Sequence, residues 1–208
     1  MALNDVYTNL QLFLRWLHVF AGIIWIGHLY FFNFVNLPLQ GALDDAAKKL
    51  VNPKLMPRAL WWFRMGAMLT FLAGLALFTL IYMYSPSSGF GPSPLFINDG
   101  GLTGRGAWIL FGMALGTIMW FNVWFIIWPT QKRILGGKCT PEELPNARKR
   151  AALFSKINTY LSGPMLFCML APSHYGAVNP ITLLVVIGLG AMAIFHSYKI
   201  SPKVGTSI

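Results

Sequence analysis

The sequence predicts an all-α integral membrane protein: a bundle of five transmembrane helices forming a single transmembrane domain over residues 1–208, with the N-terminus outside and the C-terminus inside. Three observations carry this. Of 208 residues, 56% are hydrophobic and only 11% are charged, against about 25% charged in an ordinary soluble domain. Five apolar stretches reach the length of ~20 residues that a bilayer-spanning helix needs: Leu10 to Phe34, Ala59 to Tyr84, Ala107 to Trp128, Ala151 to Ala171 and Pro180 to Tyr198. Apart from Arg15 and Arg105, every basic residue falls in the first loop, the third loop, the adjoining helix ends or the C-terminal tail. Five spans put those segments on one side, and the positive-inside rule makes that side the cytoplasm. Topology thus accounts for the net charge of +10, with attraction to anionic headgroups as a side effect. The expected partner is the lipid bilayer, and nucleic acid is not one.

The first span is preceded by acidic Asp5 and lacks a small-residue cleavage site, so it is expected to stay as an anchor. From Arg15 to Val35 it reads R-W-L-H-V-F-A-G-I-I-W-I-G-H-L-Y-F-F-N-F-V. Ionisable groups inside a span are costly, and they mark a functional site by default. On a helix Arg15, His18, Gly22 and Trp25 share one face. That face offers a metal ligand, a gap and a flat wall, with Arg15 placed to pair with a carboxylate at the membrane surface. It fits a haem b held by His18. His28 lies about 15 Å further along and about 80° round the helix, so one metal centre cannot use both histidines. The alternative is that each imidazole only hydrogen-bonds to a neighbouring helix.

Residues 36–57 read as a loop broken by Pro38, Gly41, Pro53 and Pro57. Within it, Leu43, Ala46, Ala47 and Leu50 form one face of a short interfacial helix. In the second span Gly66, Thr70 and Gly74 make a small-residue stripe, read as close helix packing rather than chemistry. The loop that follows is rich in glycine, proline and serine, and is long enough to be a lid, a partner surface or a mobile segment. The third span holds Gly112 and Gly116 as a G-x-x-x-G, places Asn122 to hydrogen-bond to another helix, and is expected to end at Pro129. Span four is the most polar. Asn158, Thr159 and Ser162 require it to be buried among other helices. No internal repeat of convincing strength is found.

The four histidines sort by depth into an outer pair, His18 and His174, and an inner pair, His28 and His196. A bis-histidine haem site needs ligands from two helices at matching depth, which suits the inner pair better. His28 and His196 are therefore expected to meet, around a second haem or in a hydrogen bond, whereas His174 would need its loop to fold back toward His18. The soft run Met165, Cys168, Met169 and His174 would suit Cu(I). Ten methionines in an apolar chain serve as core filler, however, and Met165 and Met169 at i, i+4 make a packing stripe, so copper is not expected. Cys139 and Cys168 are expected at different depths as free thiols. There is no C-x-x-C-H for a covalently attached haem. No span contains a carboxylate, which removes buried-acid proton pumping, and neither a catalytic triad nor a phosphate-cradling loop has its residues.

Taken together, R-W-L-H-V-F-A-G-I-I-W-I-G, W-F-N-V-W-F-I-I-W-P-T-Q-K-R-I-L and M-L-F-C-M-L-A-P-S-H-Y resemble the N-terminal membrane domain of the bacterial membrane-bound urate oxidase (urate hydroxylase) family. In full-length members a cytochrome c domain follows and accepts the electrons. These 208 residues hold no such domain, so the resemblance implies a separate cytochrome c as redox partner and the bacterial inner membrane as location. The opening L-H-x-x-x-x-x-x-W-x-G is also similar, more loosely, to the copper-resistance D family and to a membrane protoporphyrinogen oxidase family that binds haem b. By that resemblance His18 is the best single ligand. Two functions follow: a haem-b electron-transfer or oxidase subunit, or a non-catalytic accessory subunit packed into a larger membrane complex.

Overall fold

Asp5 caps the first helix, its carboxylate accepting from the backbone N–H of Thr8 at 3.1 Å, and the chain then stays helical as far as Ala42. The computed structural model describes residues 5–206. Helices α1 (Val6–Ala42), α2 (Asp45–Tyr82), α3 (Gly104–Leu135) and α5 (Pro180–Lys203) are long and apolar enough to cross a membrane. Helix α4 (Glu143–Leu170) is as long but more polar. The protein is a multi-pass membrane protein with four to five such helices.

α1 lies along α2, α3 along α4, and α5 against α4. The small-residue stripes set these approaches. A Cβ on Gly66 would lie 3.0 Å from the backbone nitrogen of Trp25, and one on Gly112 would lie 3.1 Å from Cβ of Cys168. Trp25, Leu29, Phe63, Met119, Val123 and Met165 form the core where α1 to α4 meet. Asn158, Thr159 and Ser162 of α4 are buried, as its sequence requires. Asn158 accepts from Nδ2 of Asn122 at 2.8 Å and donates to the Met119 carbonyl at 2.9 Å. Ser162 meets the Tyr30 hydroxyl at 2.9 Å. Both cysteines are free thiols.

Two expectations are corrected. Residues 36–57 are not a loop: α1 and α2 are parted only at Leu43 and Asp44, and Pro53 and Pro57 lie inside α2. Both prolines are exposed, so the carbonyls their missing N–H groups leave free are open to water. Likewise α3 does not stop at Pro129 but runs on to Leu135. In each of α1 and α3 a six-residue π segment, Phe31–Asn36 and Asn122–Ile127, comes just before the dipeptide containing the proline. The wider turn relieves the clash of the proline ring with the preceding turn. Pro38 leaves the Phe34 carbonyl without its helical partner, and the Ser201 hydroxyl takes that place.

At the opposite end of the bundle, the glycine-rich loop folds into two small antiparallel pairs. β1 (Tyr84–Ser85) pairs with β2 (Gly89–Phe90), and β3 (Ile97–Asn98) with β4 (Gly101–Leu102). Buried Ser93 ties the loop to α2 through the Ile81 carbonyl at 3.1 Å. The link between α4 and α5 is clamped to α3, where Trp108 Nε1 donates to the Ala177 carbonyl at 3.1 Å.

Candidate functional site

His18 Nδ1 lies 2.8 Å from the carbonyl oxygen of Thr70 on α2. A carbonyl only accepts, so in the neutral ring Nδ1 carries the proton and Nε2 keeps its lone pair. The ring rests on Gly74, where a Cβ would come within 2.9 Å of Cε1 and 3.1 Å of Nδ1. The hydrogen bond and the glycine together fix both the tautomer and the position of the imidazole. Metal-binding histidines are commonly held in this way, by a carbonyl on the other ring nitrogen.

His18 lines a cavity of about 500 Å³ between α1, α2, α3 and α4. This is within the usual range for small-molecule and cofactor sites. Gly22, Gly27, Gly74 and Gly116 contribute wall without side chains, and Met113, Met165 and Met169 contribute thioethers. Trp25 is also in the wall. It is 2% exposed, and its Nε1–H is buried without a hydrogen-bond partner. Among the described residues, no three His, Cys, Asp or Glu side chains gather around one point. A histidine that acts alone suits a metal whose other ligands come from a macrocycle. A flat, largely apolar, metal-bearing group such as haem b would fit the lone imidazole donor and the glycine-lined space.

Of the residues singled out in the sequence, His18, Gly22 and Trp25 come together at this cavity. Arg15 is exposed and is not part of its wall. The expected meeting of His28 and His196 is not formed. His28 Nδ1 bonds to the Ile24 carbonyl of its own helix at 2.8 Å, and His196 is exposed. The reason is rotation rather than depth. Helix α5 turns buried Ile194, together with Tyr198 and Ser201, inward, with the Tyr198 hydroxyl donating to Asn33 Oδ1 at 2.7 Å. A residue two places from Ile194 lies on the far side of the helix. The soft run comes apart too: Met165 and Met169 line the cavity, Cys168 packs under Gly112, and His174 is exposed on its loop.

Sequence reasoning missed the Thr70 carbonyl and Gly74 as supports of His18. Gly74 was visible only as one member of a packing stripe. It also missed the aromatic seat of Arg64, whose guanidinium lies 3.8 Å from the centre of the Trp128 ring. The family model described as urate oxidase N-terminal matches residues 39–90 and 95–205. The chain belongs to this family. The part shared with the urate oxidase N-terminal family includes Thr70, Gly74, Met113, Gly116, Met165 and Met169 of the cavity wall, whereas His18 lies before the matched residues. No curated protein and no solved structure matches the chain.

Proposed function

We propose that this member of the urate oxidase N-terminal family is a haem-b-binding electron-transfer or oxidase subunit of the bacterial inner membrane, which passes electrons to a separate cytochrome c. The observation that carries the reading is His18, held by Thr70 with Nε2 left as the unprotonated nitrogen in the wall of a glycine-lined cavity. Haem b, when bound, supplies one-electron chemistry. The chain's own residues do the rest. His18 would be the residue that holds such a group, and the Thr70 carbonyl orients its ring and raises its basicity. Gly22, Gly74 and Gly116 leave room for a flat face, and the apolar wall excludes water. Fourteen of the sixteen basic residues lie toward the end of the bundle that holds Ala42, Leu135 and Glu143. That end is assigned to the cytoplasm by the positive-inside rule, which puts the His18 cavity in the outer half, where a periplasmic cytochrome c would dock.

A pyridine haemochrome assay on purified protein tests the reading, together with the Soret absorbance of His18→Ala. The variant is expected to lose most of that absorbance while remaining folded. Wild-type protein that shows no Soret band after expression with ample haem overturns the proposal. The accessory-subunit reading would then hold, and it draws on the outward face of α5, where Leu184, Val185, Leu189, Met192 and Phe195 are exposed.

A further inference from the structure

A second and larger cavity, of about 890 Å³, opens at the basic end of the bundle, away from His18. Its deep wall is apolar: Phe32, Leu60, Phe63 and Ile127 line it, and Leu60, Phe63 and Ile127 are each no more than 3% exposed. Three of its amides already have partners. Gln40 and Asn52 exchange two hydrogen bonds of 2.9 Å each, and Asn33 donates to Ser155 at 2.8 Å. Four of its five cations have no acid partner among the described residues. Lys48 pairs with Asp45 at 3.6 Å, the one acid in the wall. Lys49, Arg148, Lys149 and Lys156 also line the cavity, and none of them has a carboxylate partner among the described residues. Lys156 instead sits 5.4 Å from the centre of the Tyr198 ring.

We propose that this cavity binds an anionic phospholipid, its phosphate held by Arg148, Lys149, Lys156 and Lys49, and an acyl chain lying along Phe32, Leu60, Phe63 and Ile127. Cations without acids call for an anion, and a guanidinium beside lysines suits a phosphate. The apolar wall calls for a second, greasy part of the same molecule, because a free phosphate would leave that surface without a partner. The position agrees: basic pockets between helices on the cytoplasmic side recognise acidic headgroups. The inference does not depend on haem binding.

The test is a thermal-unfolding titration of delipidated, detergent-solubilised full-length chain with short-chain phosphatidylglycerol, alongside phosphatidylcholine of the same chain length and inorganic phosphate. Phosphatidylglycerol should raise the unfolding temperature as a ligand of the folded state does, with the other two far weaker. Arg148→Gln combined with Lys149→Gln should weaken the apparent affinity about tenfold or more, as expected for loss of charge-assisted bonds. The unfolding temperature of this variant without lipid shows whether it is folded, and Lys156→Gln serves as a second, milder variant. Equal stabilisation by phosphatidylcholine, equal stabilisation by inorganic phosphate, or unchanged affinity in both folded variants would each overturn the proposal.

Discussion

Gly74 of α2 lies directly beneath the imidazole of His18 on α1, so close that a single added methyl carbon would sit 2.9 Å from Cε1. The ring cannot simply step aside, because its other contact is the hydrogen bond to the Thr70 carbonyl. Gly74→Ala is expected to push the imidazole off that carbonyl without unfolding the bundle. Haem content per protein should fall about tenfold or more, the scale seen when support of a metal ligand is lost. Soret absorbance measured against total protein checks this, and wild-type haem content in the variant would show that Gly74 has no part in holding His18.

Asn158 is fully buried and bonds twice to α3, through Asn122 and the Met119 carbonyl. Asn158→Ala should destabilise the bundle by about 1–2 kcal/mol, since hydrogen bonds between membrane helices contribute modestly. A double-mutant cycle with Asn122→Ala measures the pair directly, with a coupling of about 0.5–2 kcal/mol expected. A coupling of zero would mean that the two amides act independently.

Gly104 starts α3 pressed against the link between α4 and α5. A Cβ there would lie 1.9 Å from the Gly176 carbonyl oxygen, which is backbone and cannot rotate away. Gly104→Ala is expected to cost about 1–3 kcal/mol as an overpacked contact. It should also loosen the Trp108 bond to Ala177, visible as a change in near-ultraviolet circular dichroism. Haem content should stay unchanged, because this contact is not part of the His18 cavity wall.

Cys139 is partly exposed on the link between α3 and α4, and Ser87 is exposed in the loop at the other end of the bundle. With the N-terminus outside, a membrane-impermeant maleimide added to intact cells should label Ser87→Cys in a Cys139→Ser background. Wild-type Cys139 should react only after the membrane is opened. The reverse pattern would invert the orientation.

The spans, the glycine stripes and the buried polar face of α4 could be read in the sequence because each is a local pattern: apolar length, a four-residue repeat, or polar groups that lipid could not satisfy. The role of Thr70 could not, since its contribution is a carbonyl that every residue carries. The gathering of Met113 with Met165 and Met169 depends on how α3 meets α4, which spacing within one helix does not reveal. His28 and His196 were matched by depth alone, and depth says nothing of rotation about the helix axis. The prolines at 38, 53, 57 and 129 read as breakers because a sequence does not show where a freed carbonyl finds water or a serine hydroxyl.

The two π segments have a further consequence. A π turn amounts to an α-helix that has gained one residue, and each extra residue turns everything beyond it by roughly 100°. Helices α1 and α3 are therefore each two shafts joined by a coupling, with the shafts set at separate angles. The shafts before the couplings aim His18 and Gly116 at one cavity, and the shafts beyond them aim Gln40 and Gln131 at the other. Deleting one residue from a coupling would realign its shafts and take the residues beyond it out of phase with their cavity while those before it kept theirs. Along α1 and α3, therefore, the residues on one side of a coupling are set toward their cavity separately from those on the other.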